Sequence, residues 1–344
     1  MINSNVFGYH LAMSQMLTEA KEAPSRVRKL LANDAHVYAS LGSRLRELNP
    51  AMVATIARGS SDHAATYASY LIPYCTGRVV SSIAPSLVTV LKAPLNLAKQ
   101  FVLSISQSGR SPDIIAALDC AKRSGALTAA IVNDVESPVS ALADILLPQH
   151  AGSEGIAATK TVLCTLTAIA RLTGEWTQDQ EFLGRLNGLP AVLDNAYLAG
   201  LQLDTGLLSG VSSAYVVSRG LGFSSALEIA LKLKETCGIH AEAFSTAELR
   251  HGPREIVDDE FMVIALALPG SGREDVIAAA NEMKAQGSRV MLIDLGSIPE
   301  AHDPRLSPLI ALQLIYPWLA RSSQALGFDP DRPKTLKSKV IHTV

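Results

Sequence analysis

The stretch FVLSISQSGRSPDII, residues 101–115, sets a mostly apolar run, Phe101 to Ile105, directly against Ser106, Gln107, Ser108, Gly109, Arg110 and Ser111. A helix-like pattern begins at Pro112. An apolar run that ends abruptly in hydroxyls and glycine reads as a buried strand feeding a helix. The loop between them is either a polar turn whose serines cap the helix or a cradle for an anion. For the second use, unpaired helix N–H groups, the positive helix end and hydroxyls converge on phosphate oxygens.

Working outward, the same strand-then-helix unit recurs. In the first half the apolar runs are MVATIA (52–57), VVSSIA (79–84), FVLSIS (101–106), LTAAIV (127–132) and ILLPQ (145–149). In the second they are AYVVS (214–218), FMVIALAL (261–268) and RVMLIDL (289–295). Continuous apolar strands interleaved with helices predict parallel sheets covered on both faces, a three-layer α/β architecture. Landmarks repeat too: Arg58-Gly59 follows the first strand of one half and Arg219-Gly220 that of the other, 161 residues apart, while Phe101 and Phe261 are 160 apart. That spacing predicts a tandem duplication rather than one continuous sheet. The domain reading is an N-terminal helical segment (1–48), a first domain (49–175), a helical linker (176–209), a second domain (210–330) and a C-terminal tail (331–344). The N-terminal helical pattern, from about Tyr9 to Leu48, is expected to break near Pro24.

At 344 residues the chain can bury one large core or two ordinary ones. A net charge of −2 gives no electrostatic footprint for nucleic acid. Cys75, Cys120, Cys164 and Cys237 form no CxxC pair and read as reduced packing thiols. No secretory pattern opens the sequence and no apolar run approaches a membrane span, so the expectation is a cytoplasmic protein with no membrane partner.

Ligands of parallel sheets bind at the carboxyl ends of the strands. In the first half those loops are Arg58-Gly59-Ser60-Ser61 and 106–111. Two hydroxyl-rich loops without a lysine-bearing P-loop or a GxGxxG favour a phosphate over a nucleotide. A third loop, 152–160, is rich in small residues; its Glu154 either orients a hydroxyl or amine or is a surface carboxylate on a flexible connector. The second half concentrates charge instead. Glu228, Lys232 and Glu235, at i, i+4 and i+7, share one helix face, and Glu242, Glu248 and His251 follow. These groups are either a solvated ion-pair ladder or the carboxylate and imidazole of general acid–base chemistry. No histidine has metal-ligand spacing, and neither a metal nor a cofactor is expected.

Several segments resemble one family. SISQSGRSPDI resembles the phosphate loop SQSGxTxD of tandem sugar isomerase (SIS) domains, and 152–160 resembles their GTExGVASTK segment, one residue shorter. Residues 219–257, RGLGFSSALEIALKLKETCGIHAEAFSTAELRHGPREIV, resemble the isomerase half of glucosamine-6-phosphate synthase. GFDPDRPKTLKSKV resembles that family's GxDPDxPRNLxKSV tail. The resemblance implies two SIS domains, each a parallel sheet flanked by helices. It implies that Ser106, Gln107, Ser108 and Ser111 hold a sugar phosphate, with Ser61 contributing, and that Gly59, Ser60, Glu154, Ala157 and Glu228 surround the sugar. Glu235 would be the base that moves a proton between C1 and C2. His251 would assist ring opening from the other subunit of a homodimer. A tail lysine would contact the open-chain sugar; an extra residue leaves Lys337 or Lys339, and Lys339 is preferred because Val340 follows it.

Two substitutions depart from the pattern: Ala158 stands for a serine, and Arg110 for a commonly acidic residue. No cysteine precedes Cys75, so the family's glutaminase nucleophile is not expected here. The implied activity is therefore an isomerising glucosamine-6-phosphate deaminase giving fructose 6-phosphate and ammonia. Tagatosamine or galactosamine 6-phosphate deamination, fructosamine 6-phosphate deglycation and a non-catalytic sugar-phosphate sensor are the alternatives.

Overall fold

The computed structural model describes residues 13–296 and 303–335. Two helices come first, α1 (Gln15–Ala32) and α2 (Ala35–Leu48). The first α/β unit contains β1 (Met52–Ile56), α3 (Ser60–Thr76), β2 (Val79–Ser82), the single turn α4 (Ser86–Thr89), β3 (Phe101–Ser106) and α5 (Pro112–Arg123). It closes with β4 (Leu127–Val132), α6 (Pro138–Leu142), β5 (Ile145–Pro148) and α7 (Lys160–Thr177). After α8 (Gln180–Gly200), the second unit opens with β6 (Ser213–Ser218), α9 (Phe223–Cys237), β7 (His240–Ser245) and α10 (Thr246–Leu249). It continues with β8 (Met262–Ala267), α11 (Arg273–Ala285), β9 (Arg289–Asp294) and α12 (Ser307–Ala325).

Both sheets are wholly parallel, with strand orders β2-β1-β3-β4-β5 and β7-β6-β8-β9. The registers repeat. Met52 pairs with Val79 and Val53 with Phe101; Ser213 pairs with His240 and Ala214 with Met262. Every one of these positions shifts by 161, so the duplication holds at the level of individual backbone pairs. The counterpart of Phe101 is therefore Met262, not Phe261. Phe261 stands just before β8 and packs its ring on Tyr215, with centroids 4.6 Å apart.

Strand side chains alternate between two buried faces, which is why the runs read as continuously apolar. Phe101, Leu103 and Ile105 face the central core, while Val102 faces the outer layer under α5. Met262, Ile264 and Leu266 join the same central core, and Val263 and Ala265 face α11. One core thus runs through both units. The sequence missed β7, an edge strand paired only with β6 whose residues HAEAFS are half exposed and give no apolar run.

The segment 176–209 is not a tether. Phe182, Leu186, Leu189 and Leu193 of α8 are buried in the central core. Gly200 lets α8 lie against α12, since a Cβ there would fall 2.0 Å from the Leu314 carbonyl oxygen. The expected break near Pro24 is also corrected: α1 runs through it to Ala32, with Asn33 as its C-cap, and Asp34 takes φ 57°. A helical proline leaves the carbonyl four residues back without its donor. Here Gln313 Nε2 of α12 donates to that Ala20 oxygen at 2.9 Å. Among the described residues no helix is long and apolar enough to cross a membrane.

Candidate active site

In the first unit the strand order reverses between β1 and β3, so the crevice lies between the loops that follow them. Those loops are 58–61 and 106–111. Gly109 takes φ +61°, and a Cβ on it would fall 2.1 Å from Ser137 Oγ. The loop is closed from within. Gly109 N–H donates to Ser106 Oγ at 3.0 Å and Arg110 N–H to Ser108 Oγ at 3.3 Å. Both hydroxyls accept from the backbone and keep their protons for an acceptor outside the loop. Ser111 is the N-cap residue of α5, yet its side chain makes no capping bond. Capping therefore does not account for these serines. Arg110 is spent on Asp134, with Nε and Nη2 3.0 and 2.7 Å from Oδ2, and this pair is largely exposed.

The loop after β1 turns at Gly59 (φ +55°) into α3, which packs against α9 of the second unit. There the two domains are joined by a buried polar cluster. Glu228, completely buried, accepts from Ser60 Oγ at 3.1 Å and meets His63 Nδ1 at 2.7 Å. The ammonium of Lys232, also buried, stands 3.4 Å from Glu228 Oε1 and 2.5 Å from Glu235 Oε2. The spacing i, i+4, i+7 thus places two carboxylates around one lysine, with Glu235 the more exposed at 19%. Burial alone would raise the Glu228 carboxyl, but Lys232, His63 and Ser60 together hold it below the usual carboxylate range. Burial would likewise lower the Lys232 ammonium, and Glu228 and Glu235 outweigh it, so the lysine stays charged. Tyr316 of α12 lies beside this cluster. Burial, with the negative charges of Glu228, Glu154 and Glu235, pushes its phenol far above the usual range. Its hydroxyl has no hydrogen-bond partner among the described residues.

Of the other residues singled out by sequence, Glu154 reaches the first turn of α7. It accepts from Thr159 N–H and Thr161 N–H, each at 3.0 Å, and from Thr161 Oγ1 at 2.5 Å. Ala157 packs its methyl into the core and offers a ligand only its backbone. Ser61 and Gln107 make no side-chain hydrogen bond within the described residues. His251 is exposed beyond α10, at the carboxyl end of β7, whereas Glu235 is level with the amino end of that strand. Six strand residues at about 3.3 Å each separate those ends by roughly 17 Å, so the two side chains of one chain do not meet.

Glu235 instead lines a cleft of about 430 Å³ with Lys234, Phe328, Asp329, Arg332 and Lys334. Residues 327–335 are fastened beside it. Asp331 accepts from Gln15 N–H at 2.6 Å and Met16 N–H at 2.8 Å, capping α1. Lys337 and Lys339 lie outside the described residues. Sequence reasoning missed His63 altogether; its one signal was its place in the first turn of α3, beside Ser60.

A model of the SIS domain matches residues 50–173 and 207–297. The glutamine–fructose-6-phosphate aminotransferase (isomerizing) of Zymomonas mobilis is 35% identical over 317 residues, covering 84% of this chain and 51% of that protein. A structure assigned as a phosphosugar isomerase from Silicibacter pomeroyi superposes with a TM-score of 0.87 at 34% identity, covering 92% of this chain and all of that one. The C-terminal domain of glucosamine-fructose-6-phosphate aminotransferase from Francisella tularensis gives 0.78 at 26% identity, covering 95% and 99%. The chain spans about half the length of the curated relatives it matches.

Proposed function

The chain belongs to the SIS domain family, and from that premise we propose that it is a phosphosugar isomerase acting on an amino sugar 6-phosphate, in the manner of an isomerising glucosamine-6-phosphate deaminase. The observation that carries this is the cluster across the domain boundary. Glu235 sits at the mouth of a cleft, backed by a buried lysine and by Glu228, and α3 ties that cluster to the loops that begin the phosphate crevice.

In this scheme Ser61, Ser106, Gln107, Ser108 and Ser111 anchor the phosphate, an interaction equal in ground and transition states that positions rather than accelerates. Glu235 takes the proton from C2 of the open-chain amino aldose and returns it to C1. The C2–H electron pair passes through the enolamine, the C1 carbonyl oxygen gains a proton as the amine nitrogen loses one, and a hydroxymethyl group at C1 and an imine at C2 result. Water then adds to that imine, giving fructose 6-phosphate and ammonia. A positioned base of this kind contributes about 10²–10⁴-fold. Lys232, 2.5 Å away, fixes the rotamer of Glu235. Since His251 lies at the far end of β7 from Glu235, a second copy of the chain supplies the imidazole, and the working unit is a homodimer. Lys339, or Lys337, closes the cleft from the tail.

The test is to incubate the protein with glucosamine 6-phosphate and assay ammonia and fructose 6-phosphate together, with galactosamine 6-phosphate and fructosamine 6-phosphate in parallel. Both products should appear with the first substrate, and Glu235→Gln should abolish them. If neither forms, and Glu235→Gln matches the wild type on every sugar phosphate tried, the assignment is refuted. Tight binding of the substrate without any turnover would point to a sensor instead.

A further inference from the structure

A second cleft, about 720 Å³, is larger than the one that holds Glu235. It lies at the carboxyl ends of β6 and β8, where the strand order of the second sheet reverses. It is therefore the duplicated counterpart of the phosphate crevice. The offset of 161 that relates the backbone pairs also carries Gly59 to Gly220 (φ +55° and +58°), Gly109 to Gly270 and Ser111 to Gly272, the N-cap positions of α5 and α11. The facing helices exchange roles as well. α9 meets the loop of the first crevice through Glu228, bonded to Ser60, with Lys232 and Glu235 further along the same face; at the same offset α3 carries Tyr67, Leu71 and Tyr74, and Tyr74 lines the second.

The charge has been rearranged in this copy. In the first unit Arg58 is held by Asp113 at 3.0 Å. In the second, the corresponding carboxylate, Glu274 in the first turn of α11, pairs with Arg273 instead, and its neighbour Asp275 is taken by Arg250 at 2.6 Å and by the Thr246 hydroxyl. Arg219, the counterpart of Arg58, is left with Ser245 Oγ at 3.2 Å and holds no ion pair among the described residues. Its stem lies against Gly272, where a Cβ would approach Cγ to 2.7 Å, and Arg219 and Ser271 both line the cleft, as does the already paired Asp275. Tyr70 and Tyr74 form the opposite wall.

We propose that this second crevice is a non-catalytic binding pocket for a ring-bearing phosphomonoester, with Arg219 and Ser271 on the phosphate and Tyr74 and Tyr70 against the ring. It has an anion holder and room for more than an inorganic ion, and tyrosine stands where the first site has its base, so it binds without moving a proton. The inference does not depend on which reaction the first crevice runs, so binding is the readout.

The experiment is calorimetric titration of the intact protein with 1,5-anhydroglucitol 6-phosphate, a pyranose ester that can neither open nor be isomerised, with 1,5-anhydroglucitol, gluconate and inorganic phosphate as comparison probes. The wild type should show two 1,5-anhydroglucitol 6-phosphate sites per chain. Arg219→Met should weaken one of them by about 10–100-fold, the range set by loss of a charge-assisted hydrogen bond. Ser108→Ala/Ser111→Ala should weaken the other, and gluconate should not compete at the Arg219 site. Gly272→Val, which drives a methyl into the Arg219 stem, should reproduce the Arg219→Met loss, and thermal unfolding of both variants verifies the fold. A single site in the wild type, two sites untouched by Arg219→Met, or gluconate binding in preference to the phosphate ester overturns the proposal.

Discussion

Replacing Lys232 by methionine tests the cluster at the domain boundary most directly. The substitution keeps the length of the stem and removes the ammonium, leaving Glu228 completely buried with only Ser60 and His63 as partners. Breaking a buried pair by deleting one member costs about 3–5 kcal/mol, because a charge is stranded in low dielectric. Two remaining partners put the expected cost near the lower end, about 3 kcal/mol. Glu228→Gln strands less, since Lys232 keeps Glu235 at 2.5 Å; about 1–3 kcal/mol is expected. The double variant should then cost less than the sum of the two, by about 1–3 kcal/mol of coupling. Urea unfolding followed by circular dichroism at neutral pH gives all four corners of the cycle. The pH dependence has a defined sign. The Glu228 carboxyl is held below its usual range, so its contribution is complete above the ordinary carboxylate pKa and is lost as pH falls through the folded value. The Lys232 ammonium is held above its usual range, so its contribution is complete below the ordinary lysine pKa and is lost as pH rises through the folded value. The wild type should therefore weaken on both limbs, and the double variant should be flatter on each. A cost for Lys232→Met below about 1 kcal/mol, or an additive cycle, would refute the description of these residues as one buried, mutually dependent group.

Three further outcomes are expected. Gln313→Leu removes the donor to the Ala20 carbonyl left open by Pro24, and should cost about 1–3 kcal/mol in urea unfolding; Pro24→Ala in the same background should restore most of it. Gly109→Ala places a methyl into Ser137 at a positive φ, so it should destabilise by about 1–3 kcal/mol and weaken phosphate-ester binding in the same titration. Arg110→Ala breaks only an exposed pair with Asp134, so stability should change by less than about 1 kcal/mol, measured by thermal unfolding.

How much of this was legible in sequence depends on where each signal resides. β1, β3 and β4 of the first unit could be read because both faces are buried, which turns each into a mostly apolar run. β7 could not, because its one neighbour is β6 and its side chains are polar and half exposed. The position of the α1 break was misjudged for a non-local reason: the donor that lets a helix pass through Pro24 comes from Gln313, 293 residues beyond the carbonyl it serves. The shared face of Glu228, Lys232 and Glu235 followed from spacing alone. That this face is buried is hinted at by the apolar residues on both sides in ALEIALKLKETC, and its contact with His63 had no signal beyond that residue's place in the first turn of α3.

On the proposed function, the duplication explains why neither domain makes a site alone. Two copies of one α/β unit pack through α3 and α9, so the crevice of each faces the helix of the other. In the first crevice the loops kept hydroxyls and the facing helix acquired two carboxylates and a lysine. In the second, Ser106, Ser108 and Ser111 are replaced by Ala267, Pro269 and Gly272, and the facing helix carries tyrosines. An acid–base group is useful only opposite a loop that fixes the substrate, and a fixing loop only opposite such a group. Divergence of the copies therefore had to proceed in complementary pairs across the boundary. The Ser60–Glu228–His63 contacts hold one such pair in register, and Arg58 is paired with Asp113.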